Sequence, residues 1–174
     1  MSALSTLLPE LDGESAIRFR GTRLTARVLV VDPDHDMRED LRRLLIGHDV
    51  VTVGDGAEAL RAARERRPDL VLSDVIVPVM DGVELTRALR ADPGLRDVPV
   101  ILLSAVADDE ARTQGLEAGA DELLAKPFSA REVLASVRAH LRLAESRRAS
   151  REAVRASEER HRAWMLASSD VVIR

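Results

Sequence analysis

The chain lacks several kinds of residue, and each absence excludes a class of function. None of its 174 residues is cysteine, so disulfide bonds, zinc-thiolate sites and thiol nucleophiles are excluded. Aromatic residues make up only 2% of the chain, and no block of basic residues with interleaved aromatics marks a nucleic-acid groove. No apolar run approaches the length of a membrane-spanning helix. We therefore expect a cytoplasmic protein that binds neither DNA directly nor a membrane.

Lysine is almost absent, because arginine supplies nearly every positive charge. Lys126 is the only lysine among 26 basic residues. It either remains by chance in an arginine-biased chain or occupies a position that requires a compact ammonium group, which a planar guanidinium cannot replace. Composition alone leaves both interpretations open.

Short apolar strands alternate with amphipathic helices over residues 27 to 143. The strand patterns are apolar on both faces, which is typical of a parallel sheet covered by helices. Asp36 is predicted to cap the first helix, and Ser129 and Glu132 form a capping-box pattern before the last one. We expect an α/β doubly wound domain with right-handed crossovers. The predicted strands are 27–31, 50–53, 69–74, 98–103 and 122–125.

Polar residues stand at the carboxyl ends of four predicted strands, namely Asp32, Asp74, Ser104 and Lys126. A single residue of this kind is often only a turn former or a helix cap. Four of them together indicate a ligand site, because ligands of open parallel sheets bind just beyond the carboxyl ends of the strands.

The motifs around these residues resemble the receiver domain of two-component response regulators, over residues 27 to 143. The resemblance implies a flavodoxin-like, five-stranded parallel sheet with the strand order 2-1-3-4-5. It implies a regulatory phosphoacceptor domain rather than an enzyme, although such a domain can catalyse its own phosphotransfer and dephosphorylation. The motifs are Val30-Val31-Asp32, Ser73-Asp74-Val75-Ile76-Val77-Pro78 with Asp81-Gly82, Leu103-Ser104-Ala105 and Lys126-Pro127-Phe128.

The same resemblance implies a role for three of the strand-end residues. Asp74 accepts a phosphoryl group from a histidine kinase or a phosphotransfer protein, Ser104 hydrogen-bonds a phosphoryl oxygen, and Lys126 pairs with the phosphoryl group. This chemistry needs positioning and charge neutralisation more than acid-base catalysis, which favours a functional role for the single lysine. The Lys126-Pro127 peptide bond is expected to be cis.

Mg²⁺ is the cofactor that the resemblance implies. The expected ligands are Asp32, Asp74 and the backbone carbonyl of Ile76, with Asp34 as a further candidate. Because Mg²⁺ takes oxygen ligands and keeps several waters, one or two carboxylates suffice. Receivers usually carry a second acid directly after the first-strand Asp, whereas this chain has Pro33.

A second departure from the family pattern is Leu123, which stands where receivers usually carry an aromatic switch residue, three positions before the lysine. Pro33 and Leu123 keep open an alternative function, a phosphorylation-independent pseudo-receiver that acts as a dimerisation or docking module. An aspartate-nucleophile phosphatase is a weaker alternative. Such enzymes usually carry an acid two residues after the nucleophile, and here that position is Ile76.

The patterns divide the chain into four expected segments. An N-terminal tail or interdomain remnant (1–26) precedes the receiver (27–143), and a linker helix or coiled coil (144–162) leads to the start of an incomplete PAS domain (163–174). Residues 157–173 resemble the opening of a PAS sensor domain, as found in hybrid sensor histidine kinases. We expect a homodimer, formed through the helix, with a PAS or kinase module downstream.

Overall fold

Five parallel strands form a single sheet in the order β2-β1-β3-β4-β5, which confirms the expected fold. The computed structural model describes residues 25–104 and 109–169. Most of the expected N-terminal tail and residues 170–174 of the expected PAS start lie outside this part of the chain. The strands are β1 (Arg27–Val31), β2 (Asp49–Val53), β3 (Leu70–Asp74), β4 (Val100–Ser104) and β5 (Glu122–Ala125).

Helices cover both faces of the sheet. They are α1 (His35–Leu44), α2 (Gly56–Glu65), α3 (Gly82–Ala91), α4 (Asp109–Glu117) and α5 (Ala130–Ser169). On one face Leu41 of α1 and Val133 of α5 belong to the same buried cluster, and on the other Ala59 of α2 and Leu89 of α3 share a second cluster. The central strands β3 and β4 are buried along their whole length. Burial on both faces explains why these strands read as continuous apolar runs.

Side chains define where the helices begin, and one predicted cap was wrong. Asp34, not Asp36, caps α1, because its carboxylate accepts a hydrogen bond from the Asp36 amide at 2.9 Å. An N-cap side chain bonds the amide of the second or third helical residue, so the cap must precede the helix, whereas Asp36 lies in its first turn. Ser129 and Glu132 form the expected capping box before α5.

The last helix continues far beyond the sheet, as expected. It runs without interruption from Ala130 to Ser169, across the expected segment boundaries at residues 143 and 162. Two ion pairs join this part of the helix to loops of the domain. Arg148 pairs with Asp69 at 3.0 Å, and Arg151 makes a bidentate ion pair with Asp97. No helix in the described part of the chain is long and apolar enough to cross a membrane.

Candidate functional site

The sheet brings the predicted strand-end residues to one edge. In the register of the sheet, Val31 lies beside Ser73, so Asp32 and Asp74 follow neighbouring positions of β1 and β3. Ser104, the last residue of β4, is paired with Ala125 of β5. Because all strands run in the same direction, their carboxyl ends lie at one edge of the sheet, and this places these side chains near one another.

Lys126 binds both carboxylates of the site. Its Nζ lies 3.2 Å from Asp32 Oδ2 and also donates a short hydrogen bond to Asp74 Oδ2. Asp32 is 1% exposed and Asp74 is 8% exposed, so these acids are shielded from water. A buried carboxylate is costly unless a cation or hydrogen bonds compensate it. Lys126 provides that compensation for both acids.

Burial and pairing shift the pKa values of the site in a consistent way. Burial raises the pKa of Asp32, and the nearby Lys126 only partly opposes this effect. For Lys126, burial by itself would lower the pKa, but the hydrogen bond to Asp74 and the two carboxylate charges outweigh it, so the pKa is raised. The raised pKa favours the charged, ammonium form of Lys126.

Backbone amides hold the second oxygen of each carboxylate. Asp34 N–H donates to Asp32 Oδ1 at 2.8 Å, and Ile76 N–H donates to Asp74 Oδ1 at 2.9 Å. The side chain of Ile76 is exposed, so only its backbone faces Asp74 in this contact. Both acids thus have one oxygen fixed by the main chain and the other directed at Lys126.

Of the two remaining predicted site residues, Ser104 is buried and Asp34 is exposed. Ser104 is 4% exposed, and its carbonyl accepts a hydrogen bond from the Lys126 amide at 2.6 Å. That bond ties the end of β4 to the residue that follows β5. The Lys126-Pro127 bond is cis, as expected. Asp34 is exposed and uses one carboxylate oxygen to cap α1.

The donor chemistry fits a hard divalent cation. Among the described residues, no three acidic or histidine side chains converge on one point, and Asp32 and Asp74 each contact the same ammonium group of Lys126. Two carboxylates are sufficient for Mg²⁺, which otherwise keeps its waters. The ammonium of Lys126 already lies between the two acids, which shows that this position attracts positive charge.

Two glycines, whose packing the sequence did not predict, support the loop after Asp74. A Cβ on Gly82 would overlap the carbonyl oxygen of Asp74 and lie 3.1 Å from the Cα of Val75. A Cβ on Gly56, the first residue of α2, would overlap the carbonyl of Met80. The loop is therefore held between the first turns of α2 and α3. In the sequence, the only hint was an Asp-Gly pair at each of the two positions, 55–56 and 81–82.

The same loop contains a strained residue, Val79. Its φ angle is +69° and its side chain is 83% exposed. The left-handed region is unfavourable for residues with a Cβ, and a β-branched side chain makes it worse. The loop therefore stores strain two residues before Asp81, which caps α3.

We expect Val79→Asn to raise the free energy of unfolding by about 1 kcal/mol, because Asn enters the left-handed region readily. Denaturant unfolding of the two proteins measures this difference. Val79→Ala is the matched control, since it removes the apolar side chain but keeps a Cβ without the special tolerance of Asn. An Asn variant no more stable than the Ala variant would show that the conformation costs little.

The four histidines lie apart from this centre. His48 accepts a hydrogen bond from the Ala26 amide, His140 contacts Glu122, His35 lies beside Arg38, and His161 stacks on Trp164. None of these contacts involves the acids or the lysine of the site.

Comparisons with known proteins show the family to which the chain is similar. The family model "Response regulator receiver domain" matches residues 28–138. The DNA-binding response regulator MtrA of Mycobacterium tuberculosis is 48% identical over 118 residues, which cover 67% of this chain and 50% of that protein. The transcriptional regulatory protein PrrA of the same organism is 52% identical over the same length, with the same coverage. The chain thus spans about half the length of the curated relatives it matches.

A solved structure adds a metal to the comparison. The receiver domain of the sensor histidine kinase PA1611 from Pseudomonas aeruginosa has a magnesium ion coordinated in its active-site cleft. It matches this chain with a TM-score of 0.63 and 34% identity, covering 67% of this chain and 98% of that domain.

The expectation that the protein does not bind DNA directly was wrong. It rested on the missing basic and aromatic groove, but relatives that are 48% identical over 118 residues include a DNA-binding response regulator. The matched part is half of those proteins. The composition of one segment therefore cannot exclude DNA binding by the rest of a longer chain.

Proposed function

This chain belongs to the response regulator receiver family, and we propose that Asp74 is the residue that accepts the phosphoryl group. The donor is the phosphohistidine of a histidine kinase or a phosphotransfer protein. The observation that supports this most strongly is the position of Asp74, a buried carboxylate that ends the central strand with the ammonium of Lys126 on one oxygen. A carboxylate is a suitable covalent acceptor when its surroundings neutralise the arriving negative charge.

In the transfer step, an Asp74 oxygen forms a bond to phosphorus while the bond from phosphorus to the donor imidazole nitrogen breaks. The electron pair of the broken bond stays on that nitrogen, and an imidazole that carries a proton on its other ring nitrogen leaves as a neutral ring. Lys126 neutralises charge on the phosphoryl oxygens, and the hydroxyl of Ser104 donates a hydrogen bond to one of them. Positioning and charge are what this reaction requires of the protein, so the domain can promote its own phosphorylation.

Mg²⁺ belongs to the same proposal. Asp32, Asp74 and the backbone carbonyl of Ile76 would hold it, and it would supply further charge neutralisation for the phosphoryl oxygens. Asp34 is a weaker candidate, because its carboxylate already caps α1. The magnesium ion in the similar PA1611 receiver supports this assignment.

We predict that Mg²⁺ binding is weaker here than in a receiver with two adjacent acids, and that Pro33→Asp tightens it. A second carboxylate would add one charge-assisted contact, which is worth about 1.5–3 kcal/mol at most. Titration of Mg²⁺ into both proteins, followed by calorimetry, measures the difference. Equal affinities would indicate that Asp34 already contributes to the metal site and that Pro33 is neutral.

Phosphorylation of the wild-type chain tests the function. The protein is incubated with a small phosphodonor, such as acetyl phosphate, with Mg²⁺ or with a chelator, and its intact mass is measured. We expect a gain of one phosphoryl group that requires Mg²⁺ and is lost in hydroxylamine, which cleaves acyl phosphates. Peptide mapping then locates the modified residue.

A chain that takes up no phosphoryl group under any of these conditions would favour the pseudo-receiver function instead. Leu123 keeps that alternative open, because it replaces the usual aromatic switch residue. A Cβ on Gly115 would lie 2.7 Å from Leu123 Cδ1, so α4 and β5 are in close contact here. A leucine in this contact reports phosphorylation less directly than the usual aromatic residue.

The segment boundaries also remain proposals. The helix end carries Trp164, Met165 and Leu166, which are 66%, 55% and 68% exposed. An apolar turn that is exposed on every side supports the start of a further domain, as the resemblance to a PAS opening implies. Self-association through the polar part of α5 and a cytoplasmic location stay predictions.

A further inference from the structure

Arg38 contacts the turn that follows β1. It lies in the first half of α1, and its Nη1 donates hydrogen bonds to the carbonyl oxygens of Asp32 at 2.7 Å and Pro33 at 3.1 Å. Its Nη2 lies 3.4 Å from Nδ1 of His35. One guanidinium nitrogen therefore bridges two successive peptide groups at the edge of the site.

Other hydrogen bonds complete the support of Asp32. The Asp32 amide donates to the carbonyl of Val53 at 3.2 Å, and Asp32 Oδ1 accepts from the Asp34 amide at 2.8 Å. With its amide, its carbonyl and one carboxylate oxygen all bonded, Asp32 has little freedom to rotate. The remaining oxygen, Oδ2, faces Lys126 at 3.2 Å.

We propose that Arg38 is a positioning residue, which holds the peptide after Asp32 so that Oδ2 of Asp32 faces the metal and phosphoryl site. This inference rests on the proposed function for its purpose, but its geometry does not depend on phosphorylation. The guanidinium contacts carbonyl oxygens rather than the carboxylate, so it acts through the backbone. Hydrogen bonds to the residues that present a metal ligand commonly tune metal affinity in this way.

Pro33 gives the turn a particular need for such support. Proline has no N–H, so the turn loses a donor at this position, and it has no carboxylate to help hold a metal. Instead, the hydrogen bonds from Arg38 attach the carbonyls of Asp32 and Pro33 to α1. A side chain from the helix thus orders a turn that the proline leaves with fewer bonds of its own.

The test compares Arg38→Met with Arg42→Met in the full chain. Arg42 lies one turn further along α1, where it donates to Thr52 Oγ1 at 2.6 Å and does not contact the turn. Each variant removes one positive charge from the same helix. We expect Arg38→Met to weaken Mg²⁺ binding by about 10-fold and Arg42→Met to leave it unchanged. Arg38→Lys keeps an ammonium donor and is expected to retain most of the affinity.

Two measurements give the result without any phosphodonor. The first follows the midpoint temperature of thermal unfolding as Mg²⁺ is added, and gives the Mg²⁺ concentration at which half of the total shift is reached. The second needs no metal, because the amide proton resonance of Asp34 reports its hydrogen bond to Asp32 Oδ1. We expect this resonance to move in Arg38→Met and to stay in place in Arg42→Met.

The proposal is overturned if Arg38→Met keeps both the wild-type Mg²⁺ affinity and the wild-type Asp34 resonance. It is also overturned if Arg42→Met has the same effects, or if Arg38→Lys is as impaired as Arg38→Met. A wild-type chain that accepts no phosphoryl group would contradict the proposed function instead, since neither measurement depends on phosphorylation.

Discussion

Asp74→Asn is expected to abolish phosphorylation of this chain completely. The amide of Asn is a poor nucleophile, and the substitution removes the one carboxylate that ends the central strand and contacts Lys126. Intact mass after incubation with a phosphodonor and Mg²⁺ should show no added phosphoryl group. The fold should persist, because Asn has nearly the same shape and Lys126 still pairs with Asp32.

Asp81→Asn is the matched control for this prediction. It makes the same chemical change in the same loop, and Asn caps a helix as well as Asp does, so α3 keeps its start. This variant should be phosphorylated like the wild type. An Asp74→Asn protein that still gains a phosphoryl group would show that another side chain is the acceptor.

Gly82→Ala is expected to cost about 3 kcal/mol in the free energy of unfolding, as overpacking against atoms that cannot move aside usually does. The added methyl would overlap the Asp74 carbonyl and approach the Val75 Cα. These are backbone atoms held by further bonds, since Val75 N–H donates to Leu103 O and Gly82 N–H donates to Val75 O, both at 2.9 Å. Relief requires α3 to move away from β3.

The same displacement should slow phosphorylation, because the backbone that carries Asp74 would move relative to Lys126. Gly94→Ala is the control, since its Cβ would meet only the half-buried Asp92 side chain at 3.4 Å. Its stability should change by no more than about 0.5 kcal/mol. Denaturant unfolding of both variants measures the effect. A Gly82→Ala protein as stable as Gly94→Ala would mean that α3 accommodates the methyl easily.

The Asp74 and Gly82 variants separate the phosphoryl-transfer reaction from the packing that supports the site. Asp74→Asn should remove the reaction and leave the fold, whereas Gly82→Ala should weaken the fold and the reaction together. Arg38→Met should keep both the fold and the reaction, and should raise only the Mg²⁺ concentration that the reaction requires. This contrast allows each residue to be assigned a distinct role at one edge of the sheet.

Sequence reasoning succeeded where the signal is local. The alternation of apolar strands and amphipathic helices predicted every strand, and β5 was predicted to the residue as Glu122–Ala125. The strand β4 begins at Val100, later than predicted, because Pro99 lacks the N–H that a strand ladder uses. Asp36 failed as a cap for an equally local reason, since three aspartates, Asp32, Asp34 and Asp36, alternate in the turn and only the backbone angles select one of them.

What the sequence by itself determined is the fold, the family and the identity of the strand-end residues. These follow from chain direction and from patterns a few residues long, which are present before the chain folds. Only the tertiary structure decided that Lys126 contacts both Asp32 and Asp74, and that Arg38 bridges two carbonyls. It also decided that the start of α3 packs so closely against the end of β3 that only glycine fits at position 82. Those contacts depend on distances of a few tenths of an ångström between packed elements, and no pattern along the chain encodes such distances.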